Sequence, residues 1–253
     1  MTDGGAREAI VLFGRRLHER GFVAATDGNL SARTASGFLA TPTGLPKGEL
    51  EENLVVELDA AGRPLSGTPS SEWPMHAAIY RARPDVSAVI HAHPPFATAL
   101  ASTGRSIERP FLSEAVMALG AVPLVAFALP STEELASKVA EALSHREAAL
   151  LANHGAVTVG PDLRTAYYRM ETLEQTARIH LYAELLGGGE PLPGTALETL
   201  RGMGESYRLA SLPSPLCERC PLASGQDGAG LGTEAIVRLL VEFARVYPGA
   251  GIK

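Results

Sequence analysis

The spacing of apolar positions changes several times along the chain, and each change marks an element. Ala6, Ala9, Ile10, Phe13 and Leu17 recur at helical intervals, with Gly21 placed as a stop. A turn at Asp27-Gly28-Asn29 leads into a strand through Ala32. Short strands at 38–40 and 54–58 flank the Pro/Gly-rich stretch 41–48. Pro74 suits the first turn of a helix running towards Ala82. The apolar run 86–92 predicts a strand that ends at Pro94-Pro95, where a loop must begin, and 121–128 predicts another. Ser131-Thr132-Glu133-Glu134 reads as a capping box opening a helix that ends near Leu143. Strands at 148–152 and 156–159 meet at Gly155, and a long amphipathic helix spans about 162–186 before Gly187-Gly188-Gly189.

Beyond this point the pattern weakens. Residues 190–232 are rich in Gly, Pro, Ser and Leu and carry the chain's two cysteines. Thr233 then caps a final helix with Ile236, Leu239, Leu240, Phe243 and Tyr247 on one stripe. The expected division is a compact domain over 1–189 and an arm over 190–253, with no internal repeat.

Composition narrows the function classes. At 253 residues, 45% hydrophobic and 20% charged, the chain has the makeup of a soluble globular protein. A net charge of −6 without a basic cluster argues against nucleic acid as the partner. No stretch approaches the ~20 apolar residues that span a bilayer, so no membrane partner is expected. The opening residues show no signal-peptide pattern, so the expected compartment is the cytoplasm. Cys217 and Cys220 are too few for a disulfide framework. They form half of a four-cysteine zinc site without a second half in the chain, and are read as reduced thiols in a loop.

The candidate chemistry begins with His91-Ala92-His93 at the end of the 86–92 strand. Side chains i and i+2 of a strand share a face, so His91 and His93 can grip one ion together. His154, in Asn153-His154-Gly155, is a third candidate. Three neutral imidazoles leave a fourth position open on a divalent metal, as catalytic sites do. A single histidine in an apolar segment is usually bonded to a carbonyl, so the pattern gains its weight from its surroundings. His18, His76, His145 and His180 lack ligand spacing and are expected to be structural or exposed, with a supporting role beside the site open to His76.

Four segments then combine: Gly28-Asn29-Leu30-Ser31, Thr41-Pro42-Thr43-Gly44, Ser70-Ser71-Glu72, and the His-x-His strand with its later Asn-His-Gly. In order and spacing they resemble the class II, zinc-dependent sugar-phosphate aldolase family typified by fuculose-1-phosphate aldolase. That family also holds epimerases, dehydratases and the adducin head domain. The resemblance covers roughly residues 5–187. It implies an α/β fold of three layers, α/β/α, around a largely antiparallel or mixed sheet, here with a C-terminal helical appendage. It implies His91, His93 and His154 as ligands of zinc, with manganese or cobalt as substitutes, and Glu72 as the acid/base. Gly28, Asn29, Thr43, Gly44, Ser70 and Ser71 match positions lining the family's phosphate pocket. Glycine-turn amides, hydroxyls and an asparagine amide suit a phosphate without a large positive charge. Bland readings stand beside these: Thr-Pro-Thr-Gly as a turn and Ser70-Ser71 as a helix cap. Lys47 could assist phosphate binding, but the expectation for it is a solvated surface lysine.

The chain departs from the family in one loop. Fuculose-phosphate aldolases carry a tyrosine from a neighbouring subunit, whereas residues 109–115 here contain none and place Glu114 nearby. Glu114 is either a second catalytic carboxylate or a surface charge at a helix start. The resemblance implies a homotetramer with active sites between subunits, acting on a small phosphorylated substrate. The expected activity is retro-aldol cleavage to dihydroxyacetone phosphate and an aldehyde. Dehydration, epimerisation or decarboxylation, or an adducin-like interaction domain without catalysis, are the alternatives.

Overall fold

The computed structural model describes residues 3–206. Its elements run α1 (Asp3–Glu19), β1 (Asn29–Arg33), β2 (Gly37–Ala40), β3 (Val56–Asp59), α2 (Trp73–Ala82), β4 (Ala88–Ala92), α3 (Pro95–Ser102), α4 (Ser113–Ala118), β5 (Leu124–Val125), α5 (Glu133–Ala142), β6 (Ala148–Leu151), β7 (Gly155–Gly160), α6 (Leu163–Leu185) and α7 (Gly194–Ser206). Seven strands form one sheet in the order β3-β2-β1-β4-β7-β6-β5. Every pairing is antiparallel except β5 with β6. The sheet is therefore mixed and carries helices on both sides, the three-layer arrangement expected.

Strand periodicity sorts the core into two layers. Leu30, Ala32, Ala88, Ile90, Ala92 and Ala156 pack towards α1, α3 and α6. The alternate residues Val89, Val157 and Val159 pack towards α2 and α5. Both faces of β4 are buried, so its sequence is nearly continuously apolar, as a central strand requires. His91 shares the α2 side with Val89, because side chains two apart point the same way.

Local signals account for several boundaries. Thr132 Oγ1 accepts from the Leu135 amide at 3.3 Å to cap α5, and Asp162 Oδ1 accepts from Thr165 at 2.7 Å to cap α6. Three sequence expectations need correction. Pro94-Pro95 opens no loop: Pro95 is the first residue of α3, where a missing amide hydrogen costs nothing. The strand expected over 121–128 shrinks to Leu124–Val125, with Phe127 and Leu129 exposed beyond it. The weakly periodic stretch from 190 contains α7, whose Leu197 packs on Val116 and Ala121 beside α4. Cys217, Cys220 and the helix expected after Thr233 lie outside the described residues.

The two ends of β4 and β6 differ in character. Where these strands begin, Arg83, Glu147 and Arg169 are buried together. Arg83 holds Asp85 in a bidentate pair at 2.8–2.9 Å, donates to the carbonyls of Leu143 and Arg146, and lies 3.6 Å from Glu147. Arg169 pairs with Glu147 and donates to the Val159 carbonyl. The other end is where the candidate residues gather.

Candidate metal centre and anion pocket

Two glycines bring the site's segments together. Gly28 has φ +70°, and a Cβ there would sit 2.5 Å from Val23 Cγ1 and 2.9 Å from the His91 carbonyl. It therefore seats the turn 26–28 on the end of β4, and β1 then pairs Asn29 opposite His91. A Cβ on Gly155 would meet the Ala92 carbonyl at 2.5 Å and His93 Cδ2 at 2.6 Å. That bare position lets the β6–β7 turn close over β4, and His154 follows Asn153, itself at φ +56°.

The three imidazoles converge. The ligand atoms offered by His91, His93 and His154 all lie within 4.8 Å of one another. His91 Nδ1 is 3.0 Å from the Ala156 carbonyl, a partner that can only accept, so Nδ1 carries a hydrogen and Nε2 is the ring atom turned inward. His93 Nδ1 faces Asp27 Oδ2 at 3.3 Å, which fixes its Nε2 in the same way, and the two Nε2 atoms are 3.1 Å apart. Two ring nitrogens turned towards each other at this distance suit a shared cation. His154 Nδ1 and Glu72 Oε1 are buried without a hydrogen-bond partner among the described residues. Two backed imidazoles, a third with an orphaned nitrogen and an adjacent carboxylate make a donor set that fits a divalent transition metal.

Glu72 is the residue just before α2 and is 8% exposed. Its Oε2 is 3.1 Å from His91 Nε2 and accepts from Asn29 Nδ2 at 2.9 Å, while Oε1 lies 3.5 Å from His154 Nε2. Burial by itself would push the carboxyl up. The charge and hydrogen bond of His91, the Asn29 amide and His154 outweigh it and hold Glu72 well below the usual carboxylate range. Burial and then the His91 charge push His154 down to about 4 and His93 downward, so both are neutral at pH 7. Burial would lower His91 too, but Glu72 raises it overall.

Behind Glu72 runs a chain of hydrogen bonds absent from the sequence reading. Asn29 donates its amide to Glu72, so its Oδ1 must accept from His76 Nε2 at 2.6 Å. His76 Nδ1 then accepts from Ser31 at 2.7 Å, and Ser31 lies 2.8 Å from the Tyr80 hydroxyl. Burial and the neighbouring His91 push His76 down to about 3, keeping it the neutral link this order needs. His76 thus holds Asn29 rather than standing free.

Gly28, Asn29, Thr43, Gly44, Ser70, Ser71, Glu72, His93 and His154 all line one pocket of about 320 Å³, with His91 buried beneath. The two loops carrying the hydroxyls are tied by backbone pairing: Thr43 donates to Thr68 at 3.1 Å and Ser70 to Thr41 at 3.0 Å. Asp27, Pro130 and Ser131 join the lining and were not singled out for it, and Lys47, considered as an aid to phosphate binding, joins it too. Lys47 corrects its expectation outright: it is 2% exposed, not a solvated surface residue. Its position three residues after Gly44, in the same Pro/Gly-rich loop, was the available signal. Glu114 is the exception among the expected site residues: it is exposed on α4, which packs against α6 and α7 away from this pocket's lining.

Comparison with known proteins agrees with this geometry. Residues 8–181 match the Class II Aldolase and Adducin N-terminal domain family. The chain is 38% identical over 184 residues to 3-oxo-tetronate 4-phosphate decarboxylase of Escherichia coli K12, covering 70% of this chain and 87% of that one. It is 36% identical over 190 residues to L-fuculose phosphate aldolase of the same strain, covering 74% and 86%. The crystal structure of YgbL from Klebsiella pneumoniae, described with three alternative activities (aldolase, epimerase or decarboxylase), superposes with a TM-score of 0.74 at 35% identity, covering 79% and 100%.

Proposed function

Because the chain belongs to the class II aldolase and adducin family, we propose that it is a metal-dependent lyase of a phosphorylated, ketose-like substrate. It breaks the carbon–carbon bond beside a ketone, releasing dihydroxyacetone phosphate and an aldehyde. The observation that carries this reading is the convergence, in one pocket, of three imidazoles, a buried carboxylate and a ring of neutral hydrogen-bond donors.

His91, His93 and His154 would hold the ion, zinc in this reading, with manganese or cobalt as workable substitutes. When bound, it supplies Lewis-acid stabilisation of the negative charge that develops on the ketone oxygen. The chain's own groups do the rest. Asn29, Thr43, Gly44, Ser70 and Ser71 anchor the phosphate, so binding at the remote end positions the reacting carbons. As the bond breaks, a base takes the proton of the hydroxyl on the departing carbon and the bonding pair moves towards the ketone. Glu72, ionised at rest, takes a proton from solvent and delivers it to the carbon left behind, and removes it in the reverse direction. The Tyr80–Ser31–His76–Asn29 chain fixes which Glu72 oxygen faces that carbon.

The second acid/base comes from a neighbouring subunit of a homotetramer, and Glu114, exposed on α4, takes that part in this reading. Residues 1–189 form the catalytic domain and 190–253 an arm, and the enzyme works in the cytoplasm. No helix among the described residues is long and apolar enough to cross a membrane.

Decarboxylation of a phosphorylated 3-oxo sugar acid is the second reading, and a specific observation favours it. Carbon dioxide leaves without an aldehyde oxygen to protonate, so the reaction needs no tyrosine, and residues 109–115 contain none. The similarity to a 3-oxo-tetronate 4-phosphate decarboxylase points the same way. Both reactions leave the same three-carbon phosphate. Supplying the zinc-loaded protein with phosphorylated 2-ketoses and 3-oxo sugar-acid phosphates separates them: an aldehyde product supports the first reading, carbon dioxide the second. Turnover of neither set would refute both.

A further inference from the structure

Lys47 is buried in an unusual way. Its ammonium donates to the carbonyls of Thr26 at 3.1 Å and Leu45 at 2.6 Å. These carbonyls belong to the two loops that form the pocket, so the charge sits at their junction. An ammonium has three donors, and these two carbonyls use two of them. No carboxylate stands within ion-pair distance among the described residues; Asp27 acts on it only from farther away. A buried charge without a counter-ion is costly, unlike Arg83 and Arg169, which have theirs.

The surroundings say what would complete it. Asn29, Thr43, Gly44, Ser70 and Ser71 line the same pocket with neutral donors, and Lys47 is its one Lys or Arg side chain among the described residues. A cavity of many donors and one buried cation suits a small oxyanion carrying more than one negative charge. We propose that Lys47 is the charge-compensating residue of the phosphate subsite, its buried ammonium serving as counter-ion to the bound phosphate. This rests on the reading of that pocket as a phosphate site and adds the group that balances its charge. Lys47 is then a binding residue, and phosphate and folding are coupled through it: the free protein bears an unbalanced buried charge that the ligand relieves.

The rival role is a purely structural strap between the two loops, and the two roles give opposite signs. The full-length protein, Lys47→Met, Lys47→Arg and Ser71→Ala are melted with and without inorganic phosphate. Wild type should gain stability with phosphate. Lys47→Met should be no less stable than wild type in phosphate-free buffer, because an uncompensated charge is gone. It should also lose most of the phosphate-induced rise, with affinity weakened at least about tenfold, as for a lost charge-assisted bond. Lys47→Arg should keep part of the rise. A Lys47→Met protein that is destabilised without phosphate yet retains the full rise is a strap, and the proposal is wrong. The same holds if Lys47→Met is destabilised and Lys47→Arg restores no response. If Ser71→Ala abolishes the response while Lys47→Met leaves it intact, the pocket binds phosphate without Lys47. If wild type itself shows no response, the phosphate reading of the pocket fails first, and this proposal with it.

Discussion

At the end of the sheet where β4 and β6 begin, Arg83, Glu147 and Arg169 are buried with their charges matched and the Arg83 guanidinium saturated by Asp85 and two carbonyls. At the other end, where the same strands finish, buried His91, Glu72 and Lys47 meet the half-buried His93 and His154, with ring nitrogens converging, Oε1 and Nδ1 atoms unpartnered, and a cation without a counter-ion among the described residues. The strands are shared, so the fold is equally able to balance charge at either end. It does so at one and leaves the other incomplete. The first arrangement stabilises the free chain; the second fits added ligands, a divalent cation and an oxyanion. Satisfied and unsatisfied buried charge thus separates structure from function within one sheet.

The contrast can be broken from either side. At the matched end, Glu147→Gln leaves two buried guanidinium groups short of a carboxylate. Stability should fall by about 3–5 kcal/mol, read by denaturant unfolding, while turnover per folded molecule stays at the wild-type value. A loss within 0.5 kcal/mol, roughly the ordinary surface range, would mean that this end is not the structural one.

At the incomplete end, Glu72→Gln keeps the shape and the Asn29 contact but removes the carboxylate that carries the proton to and from carbon. Turnover should drop on the order of 10²-fold or more with metal content unchanged. Near wild-type turnover would take Glu72 out of the chemistry. A smaller effect is expected one step back: Asp27→Ala removes the carboxylate behind His93 Nδ1, and metal affinity should weaken by roughly 10-fold. Equal affinity in competition with a chelator would leave Asp27 without a part in orienting the ligand.

A further effect is a dependence on pH. Burial pushes Lys47 down to about 8, partly countered by the Asp27 charge. Asp27, Glu72, His93 and His154 are the other titratable groups lining its pocket. Below pH 8, Lys47 is charged in both the folded and unfolded chain, and the folded state bears the full cost of burying it. As pH rises from about 8 through the ordinary lysine value near ~10.4, the unfolded chain binds more protons and that cost disappears. The stability of wild type relative to Lys47→Met, without phosphate, should therefore rise across this range. A constant difference would show the ammonium to be well solvated.

How much of this the chain declared in advance depends on distance along it. Elements set by neighbours were legible: the central strand from its mostly apolar run 86–90, α6 from its amphipathic spacing, and the shared face of His91 and His93 from strand periodicity. The metal cluster needed only one long-range step, to His154, and the four motifs supplied it. What escaped depends on partners far apart in sequence. His76 and Asn29 are 47 positions apart and Ser31 and Tyr80 are 49 apart, so neither spacing nor polarity reveals their bonds. Lys47 misled because lysine is seldom buried, and only the closing of loop 26–28 over loop 42–45 removes it from water. Pro95 misled for the opposite reason: one residue type both ends strands and starts helices.

Everything at the incomplete end depends on the three imidazoles forming one divalent cation site. Titrating zinc into the chelator-treated, full-length chain by calorimetry tests it most directly. The expected result is one tight ion per chain, with binding lost or severely weakened in a His93→Ala variant whose far-ultraviolet circular dichroism matches wild type. Absence of binding in wild type, or unchanged affinity in His93→Ala, would contradict it.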